Sequence, residues 1–203
     1  MTEPDIRRIL FLKLIRENTH EANFLDIDKK YLSDKSFILE AAHWCPLIIE
    51  CADNAIQRDN DVLRSVLPKY GYFLQHTTAE IRRDPELVMS AIQNYPFAYR
   101  YAAPELRENR DIAAAAVKGD MRAWNLVPID LRNDKAFALD AVASHVELFK
   151  KLSPELRADR DVARAAVCQL PSILRFAAVS LQTDPEMLAV AKEASAKAGF
   201  ARS

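Results

Sequence analysis

The stretch that determines the fold is LRADRDVARAAV, from Leu156 to Val167. Similar stretches open at Leu131 and Leu106, so the pattern returns at intervals of 25 residues. The first residues of the successive copies keep this interval without a gap: Tyr31, Ile56, Ile81, Leu106, Leu131, Leu156 and Leu181. Six full repeats and a partial seventh in unbroken register are typical of a tandem-repeat protein, in which each repeat is stabilised by its neighbours.

Each repeat carries the signals of a helix start followed by a buried helix face. One column holds short side chains that can accept hydrogen bonds from the first amides of a helix. Its members are Asp34, Asp59, Asp84, Asp134, Asp159 and Asp184, with Asn109 as the single departure. Apolar residues follow at spacings of four and five, as in Phe37, Ala41 and Ala42, which places them on one helix face. A proline or glycine then precedes a second, shorter apolar segment, as at Pro46 and Gly71.

These signals predict an all-α fold, namely an α-solenoid of tandem 25-residue two-helix repeats with caps at both ends. Residues 1–30 do not follow the repeat pattern, and we expect them to form an N-terminal capping helix and a lead-in. Residues 31–203 form the predicted repeat array, in which the partial repeat from Leu181 is the C-terminal cap. Because caps cover both ends of the array, we expect a monomer.

The amino-acid composition indicates which kind of partner and which cellular compartment to expect. The chain has 28 Lys plus Arg against 29 Asp plus Glu, and this balance does not favour nucleic acid. Its three cysteines occupy different repeat positions and do not predict a disulfide framework. The N-terminus lacks the pattern of a secretory signal, and no apolar run reaches the roughly 20 residues that span a bilayer. We therefore expect a cytoplasmic protein without a membrane segment, with delivery into a host cell left open.

The segment PELRADRDV, from Pro154 to Val162, resembles a bacterial helical-repeat family of unknown function. The consensus is P-E-L-R-x-D-[KR]-[DE]-V-x-x-A-A-V, and the resemblance covers residues 31–190. The first two repeats depart most, because neither has the Leu-Arg pair intact. The resemblance implies a protein of bacterial type, a group that includes candidate effectors delivered into host cells. It brings no catalytic residues to this chain.

A cluster of aromatic residues in repeats 2 and 3 predicts a surface that binds another protein. The corresponding positions vary between repeats, whereas structural positions in an array tend to recur. We call the predicted partner-binding residues the aromatic surface: Tyr70, Tyr72, His76, Tyr95, Phe97 and Tyr101. Tyrosine and phenylalanine are favoured anchors of protein interfaces. In the alternative interpretation, these rings fill wider gaps between helices. Tyr99 is left out because its column is predicted to be core.

A column of arginines gives the second hypothesis, a helical repeat that binds the phosphates of nucleic acid. The column contains Arg82, Arg107, Arg132 and Arg157, and each member follows an acidic residue by two positions. This built-in neutralisation favours a structural ladder of ion pairs and carbonyl contacts over phosphate binding.

A third hypothesis is a cysteine hydrolase that uses Cys45, in the segment His43-Trp44-Cys45, as its nucleophile, with Cys51 or His76 nearby. The sequence offers neither a glycine-rich elbow nor a third orienting residue for such chemistry. The four histidines occupy different repeat positions and do not form a metal-binding pattern. We therefore expect no enzyme, no cofactor and no metal. The preferred interpretation is a non-catalytic scaffold of the kind that serves as a bacterial effector or regulator.

Overall fold

The computed structural model describes residues 3–17 and 27–200, with side chains from 8–16 and 27–197. All regular elements in these ranges are helices, and no strand occurs among them, so the predicted all-α class is confirmed. The N-terminal helix is present as Glu3–Glu17. Part of the predicted lead-in, residues 18–26, lies outside the described residues.

Each of the six full repeats contains three helical segments, whereas the sequence predicted two. In repeat 5 they are the short α-helix Ile129–Asn133, the long α-helix Lys135–Ser144 and the 3-10 helix Val146–Lys151. The short helix occupies the junction between repeats, where the sequence pattern predicted no helix. Proline lacks an amide hydrogen but is tolerated in the first turn of a helix, and Pro154 begins the short helix of repeat 6 in this way.

The same three segments recur along the chain. The long helices are Lys35–Ala42, Asn60–Val66, Pro85–Asn94, Arg110–Gly119, Lys135–Ser144, Arg160–Gln169 and Pro185–Phe200. The 3-10 helices are Gly71–His76, Pro96–Tyr101, Met121–Leu126, Val146–Lys151 and Pro171–Phe176, and repeat 1 has the α-helical turn Ile48–Cys51 instead. The short helices are Lys29–Leu32, Asn54–Gln57, Ala79–Arg83, Pro104–Arg107, Ile129–Asn133, Pro154–Ala158 and Val179–Gln182.

The predicted helix starts are confirmed by hydrogen bonds. Asp59 accepts bonds from the amides of the residues two and three positions later, at 2.9 and 3.2 Å. Asn109 makes the same two contacts at 2.9 and 3.2 Å. An amide oxygen therefore replaces the carboxylate at this position without loss of the cap.

Ion pairs link the starts of neighbouring long helices. The cation that follows one capping aspartate pairs with the capping aspartate of the next repeat. Lys35 contacts Asp59 at 2.8 Å, and Lys135 contacts Asp159 at the same distance. All these groups are partly exposed, so each pair contributes little on its own.

Acid is expected to destabilise the repeats through these caps. The hydrogen bond from Lys35, opposed by burial and aided by two amides, lowers the pKa of Asp59 below its ordinary 3.8. The pKa values of Asp34, Asp134, Asp159 and Asp184 are lowered as well. The stabilisation is present above the unfolded-state pKa and is lost as pH falls through the folded-state pKa. We expect the urea midpoint to stay level from about pH 7 to 5 and to fall progressively below about pH 4. A level midpoint down to about pH 2.5 would contradict this coupling.

The predicted core columns are buried with two exceptions, Leu87 and Ala191, which are half-buried. Phe37, Val62, Ile112, Phe137 and Val162, in the column of Leu87, are at most 2% exposed. A further buried column, whose residues follow these by one position, was not predicted. Its members Ile38, Leu63, Val88, Ala113, Ala138 and Ala163 are fully buried. The helix face that meets neighbouring repeats is therefore wider than predicted.

The chain divides into two compact units, residues 1–103 and 104–203. In the first unit, the 3-10 helices Gly71–His76 and Pro96–Tyr101 pack on each other and on the long helix Pro85–Asn94. In the second unit, the long helix Arg160–Gln169 packs between those of repeats 5 and 7. Neighbouring repeats within each unit thus share a continuous core.

Candidate functional site

The two 3-10 helices of the first unit carry the predicted aromatic surface. The third and fourth residues of each helix turn into the core, as the full burial of Leu74 and Tyr99 shows. A 3-10 helix has about three residues per turn, so the remaining positions form an outer face. On that face Tyr72 and Phe97 are half-buried and His76 is exposed. The prediction that Tyr99 belongs to the core is confirmed.

Gln75 connects the two helices through a chain of hydrogen bonds. The Tyr101 hydroxyl donates to Gln75 Oε1 at 3.0 Å, and Gln75 Nε2 lies 2.8 Å from His76 Nε2. Because the amide oxygen accepts from Tyr101, the amide nitrogen is the group that donates to His76. His76 Nε2 is then the acceptor, which assigns the imidazole proton to Nδ1. Gln75 was not predicted from the sequence, where its only signal is a column of polar and charged residues beside the aromatic ones.

The tyrosines that precede the two helices lie in different surroundings. Tyr95 is 40% exposed, and its ring centroid is 6.1 Å from that of Phe97. Tyr70 lines a small cavity of about 90 Å³ together with His43 and Lys69, among others. The structure therefore joins Tyr95 to Phe97 and joins Tyr101 to His76 through Gln75, whereas Tyr70 borders a separate cavity.

A larger cavity of about 250 Å³ opens beside His76, between repeats 1 and 2. Its lining residues are Ile49, Glu50, Gln57, Leu63, Phe73 and His76. The three apolar members are buried, at 2% exposure or less, and form the floor. The polar members stand at the rim. Among these rim residues, only His76 was predicted from the sequence.

Glu50 gives this rim a negative charge. It forms no ion pair with any residue whose side chain the structure describes. Burial, followed by the charge of Glu50, raises the pKa of the Cys51 thiol. The same two causes, in the same order, raise the pKa of the Tyr72 hydroxyl. The Glu50 carboxylate thus contributes to the raised pKa of both Cys51 and Tyr72.

Two members of the arginine column contact main-chain carbonyl groups. Arg82 Nη2 donates to the carbonyl oxygen of Gln75 at 2.7 Å, and Arg157 Nη1 donates to that of Phe176 at 3.1 Å. In repeat 7 the column holds Gln182, whose side-chain amide donates to two carbonyl oxygens at 2.9 and 3.1 Å. These carbonyls lie at the ends of 3-10 helices, where intrahelical donors are lacking. A neutral residue can thus take the same place, which supports the structural interpretation of the column.

The surroundings of Cys45 do not favour a nucleophile. The residue is 2% exposed, and burial raises the pKa of its thiol. Catalytic cysteines are instead accessible and have a lowered pKa, because the thiolate is the reactive form. Within the described ranges, no group of three or more His, Cys, Asp or Glu residues is placed to hold a metal ion. No helix in those ranges is long and apolar enough to cross a membrane.

These elements define the class: an all-α tandem-repeat protein whose repeats combine a short α-helix, a long α-helix and a 3-10 helix. The sequence model of a domain of unknown function, DUF4116, matches the chain twice, at residues 59–107 and 134–182. The resemblance to a repeat family of unknown function is therefore confirmed.

The two matches show how that domain relates to the repeats. Each begins at the capping aspartate of a long helix, and their starts lie 75 residues apart, which is three repeat periods. One match extends over nearly two periods, so the domain corresponds to a pair of 25-residue repeats. No curated protein and no solved structure matches the chain.

Proposed function

We propose that this chain is a non-catalytic scaffold that binds another protein through the aromatic surface of repeats 2 and 3. The observation that carries the proposal is the hydrogen-bonded chain from Tyr101 through Gln75 to His76. It holds side chains of two repeats in fixed positions before any partner arrives. Groups that are already ordered lose less conformational entropy on binding, so more of their contact energy remains as affinity.

The burial pattern supports binding over gap filling. The core positions of the 3-10 helices are already occupied by Phe73, Leu74, Ala98 and Tyr99, each at most 1% exposed. The rings of the aromatic surface are additional to this set and keep contact with solvent. Partly exposed aromatic side chains on a rigid support are typical anchors of protein interfaces.

The resemblance to a bacterial repeat family supplies the proposed setting. We place the chain among bacterial effectors or regulators that act in a cytoplasm, their own or that of a host. The proposed binding needs neither a cofactor nor a metal, and it is compatible with a monomer.

A triple variant tests the proposed surface. We expect Tyr72→Ala/Phe97→Ala/Tyr101→Ala to lose the protein that co-purifies with the intact chain, because anchor residues each contribute about 2 kcal/mol or more. Circular dichroism first establishes that the variant is helical. The measurement is quantitative mass spectrometry of proteins retained from a bacterial lysate and from a eukaryotic lysate.

The matched control changes the same columns in repeats 5 and 6, as Glu147→Ala/Ser172→Ala/Phe176→Ala. It should keep the partner. Retention of the same proteins by both folded variants would disprove the proposed surface. Retention of nucleic acid alone, with a steep loss of affinity in salt, would replace the proposal with the phosphate-binding hypothesis.

A further inference from the structure

We propose that the cavity between repeats 1 and 2 receives a basic side chain, lysine or arginine, from the protein that binds the aromatic surface. This inference rests on the proposed function and adds the chemistry of the partner. His76 belongs both to the aromatic surface and to the cavity rim, so one partner can reach both.

The size and floor of the cavity fit one long side chain. Its volume is about 250 Å³, below the roughly 300–1,000 Å³ typical of pockets for drug-sized ligands. Ile49, Leu63 and Phe73 form an apolar floor. Lysine and arginine bury their aliphatic stems along such surfaces and keep the charged head at a polar edge. The apolar floor of the cavity therefore fits the aliphatic stem, and the polar rim fits the charged head group.

The rim presents acceptors. Gln57 Nε2 donates to the carbonyl oxygens of Glu50 and Ala52, at 2.9 and 2.8 Å. The amide hydrogens of Gln57 are thus directed at the main chain, and its Oε1 is the atom that can serve a ligand. The carboxylate of Glu50 adds a negative charge. An ammonium or guanidinium group brings only donors and a positive charge, which is the complement of this rim.

Two rings add to the attraction for a cation. The ring centroids of Phe73 and His76 lie 6.1 Å apart, and both residues line the cavity. The hydrogen bond between Gln75 Nε2 and His76 Nε2 fixes the orientation of the His76 ring. A cation within about 6 Å of an aromatic face is attracted by the ring quadrupole.

The repeat architecture does not require a negative charge at the position of Glu50. The corresponding positions of the other repeats hold Gln75, Arg100, Asn125, Lys150 and Arg175, so Glu50 is the only acid in its column. The capping aspartates, by contrast, have cations supplied by the neighbouring repeat. A lone carboxylate beside an apolar cavity, with its charge felt by Cys51 and Tyr72, is suited to a cation from outside.

The test uses small probes that copy the two side chains. The full chain, labelled with nitrogen-15, is titrated with n-butylammonium and n-butylguanidinium, and amide shifts are followed by NMR. We expect saturable shifts centred on Glu50, Cys51 and His76. Neutral n-butanol should bind at least about tenfold more weakly, because it lacks the charge. Butyrate, whose charge is negative, should cause no saturable shift at these residues.

Variants connect the shifts to the proposed rim. Glu50→Gln keeps the shape of the side chain and removes its charge, and we expect it to weaken butylammonium binding about tenfold. Glu105→Gln, a matched loss of an exposed acid in the second unit, should leave the affinity unchanged. Ammonium chloride provides the remaining control, because a stemless cation should bind much more weakly than butylammonium.

Three results would overturn the inference: equal affinities for butanol and butylammonium, an unchanged affinity in Glu50→Gln, or equal binding of ammonium alone. None of them bears on the partner lost or kept by the aromatic triple variant. Conversely, a triple variant that keeps its partner would disprove the proposed surface, whatever the probes do. The two failures can therefore be told apart.

Discussion

Gly71→Ala is expected to destabilise the first unit by about 3 kcal/mol, the upper part of the usual range for overpacking. A Cβ atom at Gly71 would lie 2.0 Å from the carbonyl oxygen of Ala91 and 2.8 Å from its carbonyl carbon. Both contacts are with the backbone of the long helix Pro85–Asn94, so a change of rotamer cannot relieve them. No described glycine has a positive φ, so the cost comes from close approach and not from backbone conformation.

Urea unfolding followed by circular dichroism measures this effect. Gly119→Ala serves as the matched control, because Gly119 is exposed at the last position of a long helix. There, alanine should be neutral or stabilising by up to about 1 kcal/mol, in line with its higher helix propensity. Equal urea midpoints for the two variants would contradict the close approach at Gly71.

The same substitution should also disturb the aromatic surface. The amide of Gly71 donates to Asn94 Oδ1 at 3.1 Å, which ties the start of the 3-10 helix to the neighbouring long helix. Separation of these two helices would move Tyr72 and His76, which belong to the same 3-10 helix. The Gly71→Ala variant is therefore a test of stability and is unsuitable as a binding variant.

Trp124→Ala is expected to destabilise the second unit by about 3–5 kcal/mol, as for other buried aromatic residues that are cut back to alanine. Trp124 is fully buried, and its ring stacks on Phe137 with a centroid distance of 5.9 Å and an interplanar angle of 20°. The substitution leaves a cavity between a 3-10 helix and the long helix of the next repeat. Neighbouring repeats supply most of the stability of such arrays, so the damage should not stay within repeat 4.

Trp124→Phe separates the loss of volume from the loss of the indole N–H. Within the described part of the chain, this N–H is buried without a hydrogen-bond partner. Removing it breaks no bond, so we expect the phenylalanine variant to lose only about 1–2 kcal/mol. Urea unfolding of both variants provides the comparison. A loss in Trp124→Phe as large as that in Trp124→Ala would show that the cavity is not the cause.

Much of the fold could be predicted because its signals are local. Each capping aspartate marks the start of a long helix because its side chain accepts hydrogen bonds from amides within the next three residues. Asp59 is an example. The core columns follow from the helical period alone. The third helical segment was missed for a local reason as well, since a proline at the first position of a helix resembles a proline that ends one.

The candidate site was predicted only in part. The aromatic residues were visible as a cluster in repeats 2 and 3, but their connection was not. Tyr101 and Gln75 are 26 residues apart, and they meet because two 3-10 helices pack together. Glu50 and Gln57 were overlooked because their place beside the floor of the cavity is visible only in the folded chain.

The sequence by itself determined the period, the helix starts and the buried columns, because each depends on contacts among residues close along the chain. Only the tertiary structure decided what happens between repeats: the approach of Gly71 to Ala91, the carbonyl contacts of the arginine column and the cavity beside Glu50. These features depend on distances between helices of successive repeats. Such distances are set by the packing of many side chains at once, and no single column of the repeat records them.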